Sequence, residues 1–132
     1  MAFFRPRVSR EAEVRFHADL EISKSIPELL DKARQAERTL RDLRAADADE
    51  VELLAAGQAF DRALTEALRA AEAGQRATFG VKAYDDRIAR RKAKATPKGA
   101  MWTAEVDRLR TLREDNRLWG IPRVPRPLPA AR

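Results

Sequence analysis

Residues 26–71, IPELLDKARQAERTLRDLRAADADEVELLAAGQAFDRALTEALRAA, decide how the chain folds. Apolar residues recur at Ile26, Leu29, Leu30, Ala33, Ala36, Leu40 and Leu43. That spacing gathers them on one side of a 3.6-residue repeat and predicts a first helix over about 26–44. Ser25, with Glu28 three residues on, has the pattern of a capping box. Pro27 falls in the first turn, where a missing N–H costs nothing. A second stripe, Leu53, Leu54, Ala59, Phe60, Ala63, Leu64, Ala67, Leu68 and Ala71, predicts a helix over about 50–73. Asp47 or Asp49 can cap it, Glu50 and Glu52 suit its positive end, and Gly74 marks its expected stop. The link between the two helices is short, so they should lie antiparallel and adjacent. Alanines on their inner faces let the backbones approach closely.

Before this hairpin, residues 13–23 alternate. Val14, Phe16, Ala18, Leu20 and Ile22 face one way, and Arg15, His17, Asp19 and Glu21 the other. Period two predicts a half-buried strand. Its expected partner is a second strand over about 77–84, where Phe79, Val81 and Ala83 alternate. The two would pair antiparallel across the ends of the hairpin. The fold class expected is therefore mainly α with a minor β component (α+β).

Beyond the second strand, residues 85–95 predict a short basic helix starting near Asp85 or Asp86. The sequence Thr96-Pro97-Lys98-Gly99 should break it. A further helix over about 100–118 would carry Trp102, Val106, Leu109 and Leu112 along a narrow seam, with Gly120 as its stop. Prolines at 122, 125, 127 and 129 then favour an extended tail. The expected organisation is a basic, aromatic arm over 1–9, one small helical domain over 10–119, and a proline-rich tail over 120–132.

The bulk composition points outward. The 132 residues carry a net charge of +6, distributed as +3 over residues 1–10, −6 over 11–72 and +9 over 73–132. Basic ends around an acidic middle suit nucleic acid or an acidic protein surface. Leu, Ile, Val and Phe together number 28, which is a thin supply for a core in so charged a chain. A partner is therefore expected to supply part of the stability. Phe3, Phe4, Trp102, Trp119, Pro122 and Pro125 are the candidate anchors.

The absence of cysteine excludes disulfides and thiolate metal sites. No apolar run approaches the roughly 20 residues that span a bilayer. The basic start lacks the apolar segment of a secretory signal, so the expected location is the cytoplasm or a viral particle.

Catalysis finds little support in the residues. His17, the single histidine, lies on the polar side of the predicted strand beside Asp19. Asp47, Asp49, Glu50 and Glu52 lack the glycine and distal glutamate of a calcium loop and read as helix-start residues. No phosphate-binding glycine motif occurs. No cofactor or metal is expected.

The informative cluster is Lys82, Arg87, Arg90, Arg91, Lys92, Lys94 and Lys98, seven cations within a short segment. Phosphate binding needs such a concentration of positive charge. These residues are the candidate contact for nucleic acid or an acidic protein partner, and with the arm, the tail and the thin core they point to a non-enzymatic accessory subunit of a larger virion or nucleoprotein assembly. Its arm and tail would dock on neighbouring subunits or on further copies of itself. The alternative is a free-standing nucleic-acid binder of weak sequence specificity.

Overall fold

The computed structural model describes residues 8–120, with side chains through Leu118. Among the described residues there are five α-helices: α1 (Arg10–Ser23), α2 (Ile26–Ala45), α3 (Glu50–Phe79), α4 (Arg87–Lys94) and α5 (Pro97–Asp115). A 3-10 turn (Val81–Tyr84) joins α3 to α4, and a π turn (Asn116–Gly120) closes α5. The described residues contain no strand. The anchors Phe3, Phe4, Pro122 and Pro125, and the side chain of Trp119, lie outside the described residues.

The helical hairpin forms where its apolar stripes predict it. α2 packs on α3, and Leu40, Phe60, Leu64 and Leu68 are buried between them or beneath α5. Asp49 is the cap of α3, its side chain accepting from the Glu52 N–H at 2.9 Å. Asp47 takes a positive φ of 54° in the link instead. α3 does not stop at Gly74 but runs on to Phe79. Gly74 is buried in mid-helix because the Trp102 ring of α5 presses there. A Cβ would sit 2.5 Å from the ring carbon Cη2. Gly80, at φ 94°, is the residue that ends the helix.

Both expected strands are helical instead. Residues 10–23 form α1, and residues 77–84 divide between the end of α3 and the 3-10 turn. The α+β expectation is thereby corrected to all-α over the described residues. Local chemistry explains α1. The Ser9 side chain accepts from the Ala12 N–H at 3.1 Å, and Glu11 and Glu13 sit in the first turn, where the helix dipole favours acids. The residues turned inward are Ala12, Phe16, Asp19 and Ser23, one helical stripe. The stripe holds two small residues, one aromatic ring and one carboxylate, so hydrophobic periodicity does not register it. The alternating apolar residues are largely exposed, Val14 at 62% and Ile22 at 46%.

The capping box at Ser25 does not form either. α1 passes into α2 through Lys24 and Ser25, both with helical backbone angles. The Ser25 hydroxyl donates back to the Ile22 carbonyl at 2.7 Å and makes no bond to the start of α2. A capping side chain needs an extended backbone at the cap, and a preceding helix denies it.

α1, α2 and α5 each pack chiefly on α3. Among the described residues, nine of the fifteen buried hydrophobic ones are alanine. The large ones, Leu40, Phe60, Leu64, Leu68, Val106 and Leu109, concentrate where α2, α3 and α5 meet.

α5 begins at Thr96, whose hydroxyl accepts from the Gly99 N–H at 3.1 Å. The predicted break after the basic helix is there, but Pro97, Lys98 and Gly99 already form the first turn of α5. Gly99 is buried against the end of α4, and a Cβ would lie 2.0 Å from the Ala93 carbonyl oxygen. That obstacle is backbone, which cannot swing aside. Gly99→Ala should therefore cost about 1–2 kcal/mol, checked by urea denaturation.

Candidate polyanion-binding face

α4 is the centre of the basic face. Asp86 caps it, accepting from the N–H groups of Ile88 at 2.8 Å and Ala89 at 3.3 Å. Asp85 is turned to α1 instead, accepting from the Ser9 hydroxyl at 2.6 Å and from the Ser9 N–H at 3.3 Å. Ala89 and Ala93 are half-buried, which turns Arg87, Arg90, Arg91, Lys92 and Lys94 outward. Lys82, on the 3-10 turn, and Lys98, in the first turn of α5, are exposed on either side of α4 in the chain.

None of these seven cations forms an ion pair with the described residues. Outside the cluster, Lys24, Arg34, Arg41, Arg76, Arg108, Arg110, Arg113 and Arg117 each have a carboxylate within 4 Å, whereas Arg10, Arg15, Lys32, Arg38, Arg62 and Arg69 have none among the described residues. Arg91, Lys92 and Lys94 lie in the last turn of α4 and suit its dipole. Arg87 and Lys98 sit in the first turns of α4 and α5, which hold no acid. There the dipole disfavours positive charge, so helix stability does not explain them.

Behind α4, a polar cluster fixes α1 to α3. The Arg76 guanidinium donates to both oxygens of Asp19, Nε to Oδ2 at 3.0 Å and Nη2 to Oδ1 at 3.1 Å. The Tyr84 hydroxyl donates to Oδ2 as well. Burial by itself pushes the Asp19 carboxyl up. The bonds from Arg76 and Tyr84, with the charges of Arg76 and Arg15, outweigh it and hold the carboxyl below its ordinary value. The bond to Asp19 raises Arg76. Burial, then the same carboxylate, raises the Tyr84 phenol, which stays protonated. The Arg15 guanidinium carbon stands 5.4 Å from the centre of the Tyr84 ring, and Phe16 meets that ring edge-on.

A cavity of about 120 Å³ opens beside this cluster, lined by Arg15, Arg76, Phe79, Ala83, Tyr84 and Arg90. A larger cleft of about 440 Å³ lies between α2 and α5, over Phe60. Its rim sets Glu37 and Asp115 among Arg41 and Arg44 and so offers no single sign of charge.

Trp102, half-buried over Gly74, packs within the fold. His17 is exposed beside Phe16. Asp19, Arg76, Tyr84 and Arg15 were not singled out from the sequence. The signal available was the helical spacing of Ala12, Phe16, Asp19 and Ser23, which places a carboxylate on an inward face.

Among the described residues no group of three or more His, Cys, Asp or Glu is placed to hold a metal ion. No described helix is long and apolar enough to cross a membrane. The described chain is thus an all-helical protein with a basic corner. Compared with known families, curated proteins and solved structures, it matches none.

Proposed function

We propose that this protein is a non-enzymatic, nucleic-acid-binding subunit of a larger nucleoprotein assembly. The observation that carries the proposal is the set of seven cations on and around α4 that no described carboxylate neutralises. Exposed cations without internal partners are free to replace the counterions of a phosphate backbone. They are all Lys and Arg, lie on a helix and its flanking turns, and are suited to phosphate oxygens, so the binding we propose is to backbone rather than sequence. Val14, Ala18 and Ile22, exposed at helical spacing on α1, give a separate apolar strip for a protein neighbour and support the assembly part of the reading.

The test is the salt dependence of binding to single- and double-stranded nucleic acid. Changing Arg90, Arg91, Lys92 and Lys94 together to alanine should lower the slope of log K against log salt by roughly 3 units. All four are exposed, so circular dichroism should show the helical content retained. An unchanged slope refutes the assignment. Light scattering on the eluting protein, with and without nucleic acid, then distinguishes an assembling subunit from a free-standing binder.

A further inference from the structure

The cavity behind α4 has a composition of its own. Three arginines from three different helices line it: Arg15 from α1, Arg76 from α3 and Arg90 from α4. Phe79, Ala83 and the Tyr84 ring complete the wall. Asp19 does not line it, but its single negative charge stands behind Arg76, so the group keeps a surplus of positive charge. Glu72, one turn earlier on α3, also acts on Arg76. Neither Arg15 nor Arg90 has a carboxylate within 4 Å among the described residues, although the charge of Arg15 also acts on Asp19.

The site is held in advance. Asp19 takes the Nε and one Nη2 hydrogen of Arg76 and leaves the Nη1 hydrogens uncommitted. Tyr84 is fixed by its bond to Asp19, and Arg15 lies over its ring. A planar guanidinium oriented by a second group binds a tetrahedral oxyanion with little further loss of freedom.

We propose that this cavity binds a phosphate monoester group. The proposal rests on the nucleic-acid reading above and makes it more specific, because the corresponding group on a nucleic acid is a terminal phosphate. A monoester carries close to two negative charges at neutral pH and ends in three free oxygens, which suits a lining with arginines from three helices. An internal diester carries one charge and two such oxygens, and its chain must leave in two directions. The flanking cations of α4 then follow the backbone away from the bound end.

The experiment compares single-stranded oligonucleotides, labelled at the 3′ end and bearing either a 5′-phosphate or a 5′-hydroxyl, by fluorescence anisotropy with the full chain. Inorganic phosphate is titrated separately while amide chemical shifts are followed. The expected result is roughly ten-fold tighter binding of the phosphorylated end, the worth of one added charge-assisted contact. Arg15→Met should abolish that preference. Arg15 is exposed, so the melting temperature of the variant reports whether it is folded. If neither oligonucleotide binds but inorganic phosphate shifts the amides of Arg15 and Tyr84, the cavity assignment stands and the nucleic-acid reading falls. If both oligonucleotides bind equally and phosphate shifts nothing, the cavity assignment is overturned and the reading of α4 is kept. A preference that survives in folded Arg15→Met also overturns it.

Discussion

Leu64→Ala should lower the stability of the protein by about 3–4 kcal/mol and the melting temperature by roughly 10 °C. Leu64 is 1% exposed and sits where α2, α3 and α5 meet. Its loss removes the transfer free energy of three carbons and leaves a void that rigid helices fill only in part. The effect is large because the core has few large side chains to share it. Most buried apolar positions are alanines, which allow close approach and supply little area each. Total stabilities of domains are only about 5–15 kcal/mol, so one leucine is a sizeable fraction. Equilibrium unfolding in urea, followed by circular dichroism, measures the change. A loss below about 1 kcal/mol would mean that the interior re-packs around the gap.

Asp19→Ala should cost about 2–3 kcal/mol at neutral pH. The Asp19 side chain is 10% exposed and the Arg76 side chain 44%. Removing one partner of a fully buried pair typically costs about 3–5 kcal/mol. Here water can reach Arg76, which reduces the loss, while Tyr84 is left without the acceptor of its hydroxyl. The pH dependence has a definite sign. The folded carboxyl is held below its ordinary value of 3.8. Its stabilisation is therefore complete above that value and disappears as the pH falls through the lower, folded one. The stability difference between wild type and variant should be constant from neutral pH down to about 5 and shrink with further acidification. A difference that is unchanged at the acid limit would show that packing, not charge, accounts for the loss.

The hairpin of α2 and α3 was legible because its stabilising residues are ordinary apolar ones at helical spacing. The start of α4 at an aspartate was legible for a similar reason, since an Asx residue ahead of a basic run leaves few other readings. α1 was not legible, and the cause lies in what it buries. Helix α1 docks through Ala12, Phe16 and an ion-paired carboxylate, so its inward face carries only one large hydrophobic residue and no helical stripe of them. Its exposed apolar residues happen to alternate, and the alternation predicted a strand. The second strand rested on a similar short alternation of Phe79, Val81 and Ala83, and the cap at Ser25 on the spacing to Glu28, which does not register that a helix already precedes Ser25. Gly74 misled for the opposite reason. A glycine marks a helix end when the backbone needs a positive φ, but here it makes room for the Trp102 ring.

The basic cluster was legible as charge. Its relation to Arg15 and Arg76 was not, because Arg15 lies far from Arg76 and Arg90 in the chain and lines the same cavity only when α1 lies along α3 as a helix.

The central position of α3 also governs the order of events at synthesis. α1 and α2 have their packing surface on a helix that follows them in the chain. Until residues up to Phe79 have left the ribosome, the inward sides of both are wet. At translation rates of about 5–20 residues per second, the delay between the end of α2 and the end of α3 is roughly 2–7 seconds. A nascent chain of this design spends that interval as separate amphipathic segments, the period in which a holding chaperone would have most to grip.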